Sequence, residues 1–124
     1  MNLKLRTLLL IAIAIAPLTT EVRSQEVGIG QACIKYYKCI PLDLFKCESI
    51  TRSTFIRRVC YMEAKRYMII QLNDTYYHYC NIGSETVTSL LSAPSMGQYY
   101  NLQIRSNRSG HGPFDCRDHP IPSL

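Results

Sequence analysis

Six cysteines constrain this chain more than any other feature of its sequence. Cys33, Cys39, Cys47, Cys60, Cys80 and Cys116 all follow an apolar leader. An even set of cysteines in that position reads as a disulfide framework. The need for one is physical. A domain of ~100 residues has a modest core, and each bridge restrains the unfolded chain by typically ~2–4 kcal/mol. A zinc site would favour paired C-x2-C spacings, and none occurs. Six cysteines allow ~15 pairings. The preferred set is Cys33–Cys39, Cys60–Cys80 and Cys47–Cys116.

The leader itself has the three parts of an export signal. Lys4 and Arg6 supply positive charge, Leu8 to Ala16 an apolar run, and Pro17 its end. Val22-Arg23-Ser24 places tolerated residues for a cut before Gln25. The apolar run is too short to span a bilayer, which takes ~18 residues or more. Cys33, the first cysteine, is too far on for a lipid anchor. Losing Lys4, Arg6, Glu21 and Arg23 takes the formal net charge from +5 to +3. So mild a charge does not by itself indicate a nucleic-acid partner.

The chain has 124 residues, enough for one domain. Nine Tyr, three Phe and no Trp make tyrosine the main aromatic filler, and each tyrosine brings a hydroxyl that needs a partner when buried. Four segments are expected: a signal peptide at 1–24, a cysteine-containing extension at 25–50, a central domain at 51–108 and a tail at 109–124. The extension, with Gly28, Gly30 and Pro41, suggests little regular structure beyond one helical turn around Leu42–Phe45. Lys35-Tyr36-Tyr37-Lys38 makes a short loop between Cys33 and Cys39.

Strand character begins at Ser53–Tyr61, rich in β-branched and aromatic residues. Alternation puts Phe55, Arg57, Val59 and Tyr61 on one face, with Ile56, Arg58 and Cys60 on the other. Met62–Lys65 reads as a turn, Arg66–Leu72 as a second strand, Asn73-Asp74 as a tight turn and Thr75–Cys80 as a third strand. A helix follows with Ser84 as its cap, and Val87, Leu90 and Leu91 at helical spacing. Pro94 ends it. Ser95 caps a second short helix over Gly97–Ile104, whose apolar side is Met96, Tyr99, Tyr100 and Ile104. The fold class is α+β: a three-stranded antiparallel meander, then two short helices packed on one face, with disulfide-stapled extensions at both ends.

Several of these stretches occur together in one known family. The opening STFIRRVCY, the Tyr77-His78-Tyr79 core and the segment LLSAPSMGQYYNLQIR stand in the order and spacing of the KTSC domain, which this chain resembles from about Ser53 to Arg105. The module takes its name from the C-terminus of some lysyl-tRNA synthetases. The resemblance implies an α+β unit of unestablished function, with RNA binding suggested by the synthetase context. The export signal and the added cysteines depart from that context.

The candidate binding surface combines Arg57, Arg58, Arg66, Arg105 and Arg108 with Tyr77 and Tyr79. Rings of a ligand stack on tyrosine faces, and arginine meets anionic groups. The competing reading packs Tyr77 and Tyr79 under the helices. No catalytic residue is assigned. His78 on its strand and His111, Asp115, Asp118 and His119 in the tail carry suitable chemistry, but no G-x-S-x-G, H-E-x-x-H or P-loop accompanies them. No metal or cofactor is assigned. The resulting expectation is a monomeric, exported module, periplasmic or secreted, with no membrane span in its mature part. Its partner would be an envelope protein or an anionic polymer. The alternative is a nucleic-acid-binding module.

Overall fold

The three central strands form because their apolar residues alternate and their turns are short. A computed structural model describes residues 26–107, 109 and 111–124. The leader at 1–24 and Arg108 lie outside the described residues. Strands β1 (Glu26–Val27), β2 (Gln31–Cys33), β3 (Cys39–Pro41), β4 (Lys46–Ser49), β5 (Ile56–Met62), β6 (Tyr67–Leu72) and β7 (Thr75–Tyr79) precede helices α1 (Ser84–Ser92) and α2 (Met96–Tyr99). A five-stranded antiparallel sheet runs β1-β4-β5-β6-β7, and β2 pairs with β3 in a separate ribbon.

β5, β6 and β7 are the expected meander. Leu72 pairs with Thr75 across Asn73-Asp74, and Asn73 takes φ 51°. A two-residue hairpin needs positive φ there, and Asn tolerates it. The extension departs from expectation. Instead of a loose lead-in it contributes β1 and β4 to the main sheet and folds β2 and β3 over it. Leu42 to Phe45 makes a single turn, closed by Phe45 N–H donating to Leu42 O at 3.0 Å, and no helix.

Two disulfide expectations also fail. Cys33–Cys39 forms as expected, but the other bridges are Cys47–Cys60 and Cys80–Cys116. β6 lies between β5 and β7, so Cys60 and Cys80 stand two strand spacings apart, ~10 Å. A disulfide needs Cα atoms within ~7 Å. Cys47 is directly opposite Cys60 on the neighbouring strand, and Cys80 N–H donates to Phe114 O two residues before Cys116.

The sheet is covered on both faces. On one, Val59, Met68, Ile70 and Tyr79 pack against Val87, Leu90 and Leu91 of α1 and against Met96, Tyr100 and Ile104. On the other, Cys60, Met62, Tyr67 and Ile69 pack against Ala32, Ile34, Ile40, Leu42 and Phe45 of the ribbon. Ile56 was expected beside Cys60 but joins the helix side. A register shift between Ile56 and Arg58 inserts one residue, and one residue inverts the alternation.

α1 is capped by Gly83 rather than Ser84 and ends at Ala93, just before Pro94. The Ser95 hydroxyl accepts from Gln98 N–H, as expected of a cap. Beyond α2 the chain widens into a π-helical turn over Tyr100–Ile104, closed by Arg105 N–H to Tyr100 O at 2.9 Å. Among the described residues no helix is long and apolar enough to cross a membrane.

Candidate functional site

β7 is the last strand of the sheet, so one side of its backbone is not paired with a strand. A cavity of about 870 Å³ wraps that edge. Tyr77, Tyr79 and Tyr100 line it on the helix side, and His78, Tyr37 and Ile121 on the ribbon side. Lys35, Arg105 and Arg117 supply its cations. Tyrosine rings share the lining with polar and charged groups, the Arg117-paired Asp115 carboxylate among them.

Local structure fixes each group. Tyr79 is 6% exposed and its hydroxyl meets that of Tyr100 at 2.6 Å. Burial pushes both phenols above their ordinary range, with the neighbouring Tyr100 adding to the shift at Tyr79. Tyr79 is therefore a structural residue with its polar end satisfied, while Tyr77 is half-buried and lines the cavity. Lys35 holds its ammonium 5.8 Å from the Tyr77 ring centre and 5.1 Å from that of Tyr36. Its backbone is pinned, since Lys35 N–H donates to Tyr76 O at 2.9 Å and the Cys33–Cys39 bridge closes the loop. The loop tip carries Tyr36, 95% exposed and at φ 60°. That backbone conformation is costly for a bulky residue.

His78 points to the opposite side from Tyr77 and Tyr79. Its Nδ1 lies 2.7 Å from the Tyr67 hydroxyl, and its ring sits 5.1 Å from that of Tyr37. Burial lowers its pKa, and the charge of Asp115 opposes this. Burial raises the Tyr67 phenol well above its ordinary value, with Tyr37 adding to it. His78 Nδ1 and the Tyr67 hydroxyl thus satisfy one another.

The tail residues divide among different partners. Asp115 is buried and takes two bonds from the Arg117 guanidinium, at 2.6 and 2.9 Å, and one from Ser106 Oγ at 2.7 Å. The Arg117 bonds hold its carboxyl far below the usual carboxylate range. Asp118 meets His111 at 3.2 Å, and His119 Nε2 meets Pro113 O at 3.0 Å. Among the described residues, no three His, Cys, Asp or Glu gather at metal-binding distance.

Of the candidate surface, Tyr77, Tyr79 and Arg105 reach the cavity. Arg57 and Arg58 sit at the bulge of β5, where Arg57 Nη2 donates to Thr54 O. Arg66 precedes β6, with its guanidinium beside Gly83. Arg66 and Leu72, the latter beside the bulge, are six residue steps apart, a span of ~20 Å. Arg57 and Arg58 therefore do not share one patch with Arg66. Sequence reasoning missed Lys35, Tyr37 and Arg117, which come from segments far from β7 along the chain.

Residues 52–107 match the family model of the KTSC domain. This chain carries a KTSC domain. The match begins after β4 and ends before the tail. The KTSC domain thus supplies β5 to β7 and both helices, while β1 to β4 and Cys116 are additions to it. Tyr77, His78 and Arg105 come from the KTSC domain; Lys35, Tyr37, Asp115 and Arg117 come from the additions. The cavity lies where the two meet. No curated protein matches the chain.

Proposed function

We propose that this protein is an exported binding module whose ligand occupies the cavity at the β7 edge. One observation carries the reading: cations and aromatic faces from segments far apart along the chain converge on one hollow of about 870 Å³. Packing alone gives no reason to hold Lys35 and Arg105 there, since neither has a carboxylate partner among the described residues. Export is favoured by the leader and by three disulfides with no free cysteine among the described residues. Such bridges persist in oxidising compartments and not in the cytosol. Binding is preferred to catalysis because His78 Nδ1 is engaged by Tyr67 and the Asp115 carboxylate by Arg117 and Ser106.

The test is a titration of the oxidised protein with acidic peptides, an anionic polysaccharide and single-stranded RNA, followed by NMR. Binding should shift amides of β7 and of residues 34–38, and Tyr77→Ala should weaken it at least ~10-fold. A ligand that shifts Arg57, Arg58 and Arg66 instead, with affinity falling steeply in salt for RNA alone, would replace this reading with the nucleic-acid one.

A further inference from the structure

The backbone of β7 poses an accounting question, because buried or half-buried amides and carbonyls normally find partners. Antiparallel strands direct alternate residues toward alternate neighbours. Tyr76 O accepts from Lys35 N–H, and Cys80 N–H donates to Phe114 O. Both bonds leave the outer edge, so residues 76, 78 and 80 face outward while Thr75, Tyr77 and Tyr79 bond to β6. Ile82 N–H donating to Arg66 O fixes the same phase for β6. His78 therefore turns both its N–H and its C=O outward. Neither has a backbone partner among the described residues. His78 also lines the cavity.

The gap is bounded. Lys35 closes it at Tyr76 and Phe114 closes it at Cys80. Those two points are four residue steps apart, ~13 Å, enough for about three residues of an extended chain. Above the gap lie Tyr77 and the two cations without carboxylate partners, Lys35 and Arg105. Below it lie the His78 and Tyr37 rings.

We propose that the gap takes a three-residue stretch of an extended acidic peptide, paired through its central residue with the N–H and C=O of His78. The inference rests on the cavity being the ligand seat. Strand addition at a free edge gives affinity through main-chain bonds and selectivity through alternate side chains. The central residue directs its side chain toward His78 and Tyr37. The residues flanking it face Tyr77, and an Asp or Glu there meets Lys35 and Arg105. A sugar polymer or a nucleic acid could match the charge, but neither offers an amide and a carbonyl at strand spacing to His78.

The experiment uses end-blocked heptapeptides with β-branched residues and one Glu beside the central position, titrated onto the oxidised protein. Exchange of the His78 amide should slow at least ~10-fold at saturation, since a new strand bond protects it. N-methylation of the peptide's central amide should weaken binding ~10-fold or more, and so should Glu→Lys in the peptide. Lys35→Glu in the protein should reverse the preference between the Glu and Lys peptides. If peptides shift the cavity amides while His78 exchange and N-methylation make no difference, strand addition is wrong and the cavity reading stands. If no peptide binds but the polysaccharide or RNA shifts the cavity amides, the peptide class is wrong and the cavity reading again stands. If nothing in either titration shifts the cavity, both fall.

Discussion

The two faces of the sheet solve the same problem by different means. The helix face is covered by α1, α2 and the π-helical turn, all within the KTSC match, and no disulfide touches it. The ribbon face is covered by two strands of three residues each, and Cys47, Cys60 and Cys80 all lie in its core. Helices of useful length bury enough apolar area to hold themselves on a sheet. A ribbon of six residues does not, because an isolated two-stranded hairpin is marginal in water. Covalent bonds supply the restraint that area cannot. Each face also encloses one polar pair: Tyr79 with Tyr100 under the helices, and Tyr67 with His78 under the ribbon. The first pair does not titrate in the neutral range. The second contains a histidine whose pKa burial holds below its ordinary value.

Adjacent residues of β6 allow the comparison to be tested directly. Ile70 faces the helices and Ile69 the ribbon, and both are fully buried. Ile70→Ala and Ile69→Ala should each cost about 2–5 kcal/mol in urea unfolding, with Ile70→Ala the larger. The short ribbon can settle into a cavity more readily than two anchored helices can. An equal or greater loss at Ile69 would show the ribbon to be as rigid a cover as the helices.

How much of this was legible from sequence divides along the same line. The meander, α1, the Ser95 cap and the end of α1 before Pro94 all follow from alternation, spacing and capping. The extension was not legible. Lys46-Cys47-Glu48-Ser49 is short and polar, with low strand propensity, and it is a strand because β5 and the Cys47–Cys60 bridge hold it there. Missing that strand misplaced the bridges, since Cys47 opposite Cys60 is visible only once β4 lies beside β5. The bulge that turns Ile56 inward leaves no mark in the hydrophobic pattern. At the site, Tyr77 and Arg105 could be picked out by residue type. Lys35, Tyr37 and Arg117 could not, because tertiary structure alone brings them to β7.

The bridges sharpen the contrast next. Cys80→Ser with Cys116→Ser opens a loop of sequence separation 36, against 6 for Cys33–Cys39. Loss of the longer loop should cost about 2–4 kcal/mol in urea unfolding, and loss of the shorter one less. The reverse order would mean that the bridges act mainly through the folded state. The smallest effect is that of pH. Burial keeps the His78 pKa below its ordinary value of 6.5. The unfolded chain then takes up this proton first as pH falls. The contribution is full above the unfolded pKa and declines as pH drops from there toward the folded value. Urea unfolding between pH 7.5 and 5 should show this decline in the wild type and a flatter profile in His78→Gln. An unchanged slope in the variant would place the titration elsewhere.

Phe114 bears on how such a chain ends its working life. Its carbonyl covers the amide of Cys80, and the bridge from Cys80 to Cys116 bolts that cover in place. A protease that cuts between Ile104 and Phe114 leaves two fragments still joined, with the Cys80 end of the sheet border still masked. A reductant frees the cover without cutting anything and bares strand groups on which neighbouring molecules can stack. Nicking is thus the lesser injury, and reduction is the one that opens this end of the sheet to pairing with other strands.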